Sequence, residues 1–220
     1  GVIVAGDVRI AADGTIAEVG VAIGDGSDGS DGIAGSGGVA GGSGDPSARR
    51  GRRGRRGVAV PGLVDLQVNG FAGVDFRHAD PDDYARAGAA LAAHGATAVQ
   101  PTLFGMHIDG YLRALDVLGD VAAQHGSVPS SAAPSGCRLL PAHLEGPFLS
   151  PTFKGAHDEQ TFLAPSIAVA DRLVDTGRVG FVTVAPELPN GIGLIRHRGQ
   201  RGGVVSFGHS DAAVEQTVAA

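Results

Sequence analysis

Three short segments of this chain place residues able to hold a cation or a proton at the ends of apolar runs. The first is His143-Leu144-Glu145-Gly146-Pro147-Phe148, which closes the run Arg138-Leu139-Leu140-Pro141-Ala142. A carboxylate directly after a buried strand, with Gly-Pro to turn the chain, is costly unless a cation, a metal or a substrate offsets its charge. The second segment, Lys154-Gly155-Ala156-His157, follows shortly after. The third is Gly208-His209-Ser210, delivered by the run Gly203-Val204-Val205-Ser206-Phe207. Glu and His at the ends of separate strands are what an oxygen/nitrogen metal site requires.

Each candidate has a plainer reading beside it. Glu145 could pair with an Arg or Lys, but the adjacent Gly146-Pro147 and the available His209 favour a ligand. His143 falls on the same strand face as Glu145 and could orient a ligand or a nearby water. His157, on a Gly-containing loop, could polarise a substrate carbonyl or be an exposed loop histidine. In Pro61-Gly62-Leu63-Val64-Asp65-Leu66-Gln67-Val68-Asn69-Gly70, alternation puts Asp65, Gln67 and Asn69 on one strand face. Neutral amides are weak ligands, so Gln67 and Asn69 either hydrogen-bond loop backbone or contact a substrate. Glu187, in Ala185-Pro186-Glu187, ends another strand and suits a salt bridge as well as a site role. His78, His94, His107, His125 and His197 show no partner pattern, and Cys137 has no base nearby in sequence.

The elements that must position these groups alternate between strand and helix patterns. The spacing predicts strands over Val58–Val68, Ala96–Gln100, Arg138–Leu144, Val179–Val184 and Val204–Phe207. It predicts helices over Pro81–His94, Ile108–His125, Ser166–Thr176, Gly191–Arg198 and from Asp211 to Ala220. Such strand–helix repeats indicate a parallel α/β fold, either doubly wound or a (β/α)8 barrel. No Gly-rich phosphate fingerprint follows the first strand, and polar residues close several different strands, which favours the barrel. About five strand–helix units are present where a barrel needs eight. Ahead of them, residues 1–23 read as a small β segment. It has runs at Val2-Ile3-Val4, Asp7–Ile10 and Thr15–Val19, with an Asp13-Gly14 turn. Residues 24–57 are Gly/Ser/Asp-rich and then Arg/Gly-rich, too poor in apolar side chains to offset ordering, and read as a disordered insertion. Residues 58–220 form the barrel domain.

Composition bounds the function. With 220 residues and 43% hydrophobic content the chain can bury a real core. Net charge is −6; six of its 17 basic residues sit in Arg49–Arg56, which leaves 11 against 23 acidic residues elsewhere. The acidic body and the lack of interleaved aromatics argue against a nucleic-acid partner. A single cysteine fits a reducing, cytoplasmic setting, and no run is long enough for a membrane span.

Taken together, the segments resemble the N-acetylglucosamine-6-phosphate deacetylase family of the amidohydrolase superfamily. The matching pieces are Pro61–Gly70, Gly95–Thr102, His143–Phe148, Lys154–His157, Ala185–Glu187 and Gly208–Ser210, in order. The resemblance implies a distorted (β/α)8, or TIM, barrel with a small β-sandwich. The implied reaction is hydrolysis of the acetamide of N-acetylglucosamine 6-phosphate to glucosamine 6-phosphate and acetate. It implies one divalent metal, usually zinc, held by Glu145 and His209. Substrate would meet Ala156 and His157, with His157 polarising the acetyl carbonyl, and Gln67 and Asn69 would also line the substrate site. Other members carry His-x-His at those two positions, and Gln-x-Asn resembles the one-metal members. In the family the third metal-ligating His and the general acid/base Asp stand beyond the position of Ala220. The chain therefore resembles a C-terminally truncated member, expected to lack activity by itself, and the full-length family implies a homodimer. Two alternatives stay open: another amidohydrolase acting on a cyclic amide, and a degenerate non-catalytic fragment.

Overall fold

The computed structural model describes residues 7–10, 16–20, 60–125 and 136–220. The expected strand at Val2–Val4, the Asp13-Gly14 turn, the 24–57 insertion and the start of the strand at Val58 lie outside the described residues. The chain divides into two compact units, Gly1–Pro61 and Gly62–Ala220. In the first, β1 (Asp7–Ile10) and β2 (Ile16–Gly20) pair antiparallel, as the alternating runs predict.

The second unit is built on β3 (Leu63–Val68), β6 (Ala96–Phe104), β8 (Ala142–Glu145), β9 (Val179–Val184) and β10 (Val204–Phe207). These strands lie side by side in chain order, every neighbouring pair parallel. The connections run through α1 (Pro81–Ala93), α2 (Ile108–His125), α3 (Ile167–Val174) and α4 (Gly191–Gln200), and α5 (Val214–Ala219) follows β10. A doubly wound sheet reverses its strand order at a switch point, and this one never does. Crossovers of one hand then lay all four connecting helices on one face, the winding of a (β/α)8 barrel. The fold is a parallel half-barrel of five strands.

Local chemistry accounts for the helices. Asp80 caps α1 by accepting from the Asp83 N–H at 2.8 Å, and Asp83 reciprocates on the Asp80 N–H at 3.2 Å. Pro81 opens the helix, where its missing N–H costs nothing. The buried residues Tyr84, Ala87, Gly88 and Leu91 fall at helical spacing on the face toward the sheet. Ser166 caps α3 through the Val169 N–H.

Two expected boundaries were displaced by prolines whose effect depends on neighbouring strands. The strand expected to stop at Gln100 runs to Phe104. Pro101 lacks one donor, but β8 pairs with β6 from Thr102 onward and carries the ladder past it. The strand expected over Arg138–Leu144 is broken instead into β7 (Arg138–Leu139) and β8. Leu140 N–H still bonds Val99 on β6, whereas Ala142 N–H bonds Arg178 ahead of β9. Pro141, with no donor, sits where the chain changes partners. A small hairpin that alternation does not announce, β4 (Gly70–Phe71) with β5 (Val74–Asp75), turns through Ala72 and Gly73, both at positive φ.

The central strand β8 is buried along its whole length, and the core around it includes Leu103, Leu115, Leu144, Phe148 and Leu173. Both edge strands carry exposed apolar side chains, as does α5 at Val214 and Val218. Leu63, Val64 and Leu66 of β3 are 61%, 56% and 53% exposed, and Val204 of β10 is 60% exposed. This contrast yields a stability prediction. Leu144→Ala should cost about 2–5 kcal/mol, because the fully buried site cannot collapse around the void. Val64→Ala should change stability by no more than about 0.5 kcal/mol. Urea unfolding of the two variants checks the difference.

Candidate active site

Glu145 is the last residue of β8, level with Phe104 on β6 and Thr183 on β9. Gly146, at φ +99, turns the chain immediately after it, a conformation that favours glycine. The carboxylate is almost fully buried, yet four groups from three segments face it. Gln67 Nε2 donates to Oε1 at 3.0 Å and Asn69 Nδ2 to Oε2 at 3.1 Å. His209 Nε2 lies 3.1 Å from Oε1, and His157 Nε2 lies 3.8 Å from it. Burial alone would push this carboxyl up. The close approach of the His157 ring and the hydrogen bonds of Asn69 and His209 outweigh that effect and bring it down to about 2. Glu145 is thus an anion at neutral pH, with both oxygens directed at polar partners.

The other histidine contacts fix ring chemistry. His209 Nδ1 lies 2.9 Å from the Phe153 carbonyl, which can only accept, so Nδ1 carries the proton. Nε2 then meets the Glu145 anion either as the second N–H of an imidazolium or as a lone pair that needs a cation between them. Gly155 packs beside the His209 ring at φ +57, a left-handed conformation in which a side chain would be strained. His209 itself holds φ +49, and the following residues are tied down by Glu187. That carboxylate accepts from Ser210 Oγ at 2.6 Å and from the Asp211 N–H at 2.7 Å. These bonds, opposed by burial, hold the Glu187 carboxyl below the usual carboxylate range.

His157 is buried, and its Nδ1 has no hydrogen-bond partner among the described residues. One donor atom from each of Glu145, His157 and His209 lies within 4.8 Å of the others. Ala156 is exposed on the loop beside them, held in a turn closed by the His157 N–H on the Lys154 carbonyl. Two sequence expectations need correction here. Gln67 and Asn69 do not bond loop backbone through their amides: each donates one N–H to Glu145. His143 contacts no candidate ligand; its ring nitrogens bond Thr102 Oγ1 at 3.2 Å and Thr183 Oγ1 at 2.8 Å, and it stacks on Phe181. Burial brings it down to about 4, so it is a neutral strut between three strands. Glu187 makes no salt bridge among the described residues but anchors the loop after His209. His197, given no role from sequence, bonds Asp171 at 3.0 Å and joins α4 to α3, away from the candidate ligands in chain and partners. Sequence reasoning also missed Tyr111, fully buried with its hydroxyl 3.5 Å from the Glu145 carbonyl.

A parallel half-barrel sheet that gathers a carboxylate and two imidazoles at one rim places its candidate site where (β/α)8 barrels carry theirs. The comparisons with known proteins narrow the class. N-acetylglucosamine-6-phosphate deacetylase of Caenorhabditis elegans is 36% identical over 163 residues, 69% of this chain and 37% of the relative. The human enzyme of the same name is 38% identical over 170 residues, 70% of this chain and 37% of the relative. A mutant N-acetyl-D-glucosamine-6-phosphate deacetylase from Mycobacterium smegmatis, solved in complex with N-acetyl-D-glucosamine-6-phosphate, superposes with a TM-score of 0.63 at 32% identity. That match covers 73% of this chain and 39% of the neighbour. No protein-family model matches the chain. Over the shared residues the chain is a homologue of N-acetylglucosamine-6-phosphate deacetylases, and it spans well under half the length of these relatives.

The Glu187 anchor can be tested directly. Glu187→Ala should speed exchange of the Asp211 amide proton by about tenfold or more, as expected for losing a hydrogen bond to a charged acceptor. Amides of β9 should keep their protection. Hydrogen-exchange NMR reads both.

Proposed function

We propose that this chain supplies the metal-holding part of a site that hydrolyses the acetamide of N-acetylglucosamine 6-phosphate to glucosamine 6-phosphate and acetate. The observation that carries this reading is the convergence of Glu145 and His209 at strand ends with His157 on the loop after β8. The donor set suits a divalent ion. Glu145 is anionic, the Phe153 carbonyl leaves His209 Nε2 facing it, and His157 has a buried nitrogen without a partner. Glu145 and His209 would hold the ion, and their mixed oxygen and nitrogen donors favour zinc. Bound there, the ion would supply Lewis acidity, for lowering the pKa of water and for offsetting negative charge on the amide oxygen.

The remaining work falls to side chains of this chain. His157 presents an imidazole N–H to the acetyl carbonyl and draws charge toward its oxygen. Gln67 and Asn69 fix both carboxylate oxygens of Glu145, so the ligand cannot rotate away, and with Ala156 they border the substrate. The same reading places the protein in the cytoplasm as a homodimer acting on a small sugar phosphate. Among the described residues, no helix is long and apolar enough to cross a membrane.

Metal content and turnover separate the roles. Glu145→Gln should abolish zinc retention by the purified chain, read by elemental analysis after dialysis; unchanged zinc would remove Glu145 from the ligands. His157→Asn should keep zinc while lowering hydrolysis of N-acetylglucosamine 6-phosphate about 10²–10³-fold, the usual loss for one oxyanion donor. The turnover arm uses the protein in whatever length proves active. Full activity in that variant would end the polarising role.

A further inference from the structure

The His157 ring is oriented without a side-chain hydrogen bond. Nδ1 has no partner, and Nε2 stands 3.8 Å from Glu145, beyond hydrogen-bond reach. Beyond that longer polar approach to Glu145, ring packing orients it. His157 meets His209 at 4.5 Å between centroids, Phe104 at 5.4 Å and 77°, and Phe162 at 6.0 Å. Phe104 is the member of this set that belongs to the sheet, as the last residue of β6. Its ring carries a further contact, since Arg77 Cζ stands 4.3 Å from its centroid, over its face. A guanidinium within about 6 Å of a ring centroid is attracted by the ring quadrupole, and its flat shape lets it stack where an ammonium cannot.

Arg77 is held in that pose with unusual completeness for a half-exposed residue. Asp75 accepts from its Nε at 3.0 Å, from Nη2 at 2.6 Å and from its backbone N–H at 3.0 Å. A pair this exposed contributes little stability, so a bridge made for stability alone would not need such geometry. On its other side Arg77 borders a cavity of about 640 Å³, also lined by His78, Met106, His107 and Arg113. Phe104 does not line that cavity. Without the guanidinium, the face of the Phe104 ring would lose the group that covers it.

We propose that Arg77 is a positioning residue for His157: Asp75 fixes the guanidinium on Phe104, and Phe104 holds the imidazole edge-on beside Glu145. The packing chain stands on the contacts alone; its consequence for carbonyl polarisation rests on the deacetylase reading. NMR of the metal-free chain, labelled in its histidine and phenylalanine rings, tests it without any activity. The wild type should show a nuclear Overhauser effect between the Phe104 and His157 rings. Arg77→Leu should weaken it severalfold and broaden the His157 imidazole signals, while the buried His143 signals stay in place. An undiminished effect in that variant, with His143 unchanged, overturns the proposal. Should Arg77→Leu lose the His143 signals and with them the fold, Arg77→Lys keeps the cation but not the plane. It should then show a partial loss, and no loss there overturns the proposal equally. A failure of the deacetylase reading would appear elsewhere, as absent zinc binding with the ring contact intact.

Discussion

The negative charge of Glu145 is the constraint around which the second unit is arranged. A carboxylate at the end of a fully buried strand is tolerable only if its lone pairs are met by donors or a cation. The fold supplies those donors from β3, from the loop after β8 and from the end of β10. Each must therefore arrive at one height on the sheet. Parallel strands in unbroken chain order do this, because every strand then delivers its C-terminal end to the same rim. The charge and the topology support each other: the site needs a common rim, and the winding provides one.

Around that charge the structure uses two kinds of restraint. Hydrogen bonds fix the atoms that would touch a cation. Gln67 and Asn69 hold the carboxylate, the Phe153 carbonyl sets the His209 tautomer, and Glu187 ties the chain beyond it. Ring contacts fix His157, whose nitrogens stay unspent. An imidazole meant to offer an N–H to something absent from the protein cannot have it occupied by the protein itself. Aromatic packing orients a ring without consuming its donors. His143 shows the opposite choice: both nitrogens are bonded to threonines, and burial keeps it neutral, so it serves the sheet.

The half-barrel also explains where apolar surface remains. Among the described residues β3 and β10 each have a strand partner on one side, and Leu63, Val64, Leu66 and Val204 on them are exposed, while β8 at the centre is fully covered. Alternation and turn chemistry foretold this order of elements well. Helix limits from Pro81, Ile108 and Ser166 matched within a few residues, since caps and helical spacing are local facts. The errors sat at Pro101 and Pro141, where a missing N–H ends a strand or not depending on which neighbour continues the ladder. That information belongs to the sheet.

The division between sequence and structure follows the range of the interaction. By itself the sequence determined the alternation of strands and helices, the parallel class, and the three residues Glu145, His157 and His209 as the chemically loaded ones. Those follow from residue type, local period and the turns that end each run. Tertiary structure alone decided what these residues touch. Gln67 and Asn69 reach Glu145 across 78 and 76 positions of chain. Arg77 reaches Phe104, and Phe104 reaches His157, through a hairpin that no alternation announced. Such partners are set by strand order and register, and neither is encoded in the spacing of residues along a single strand.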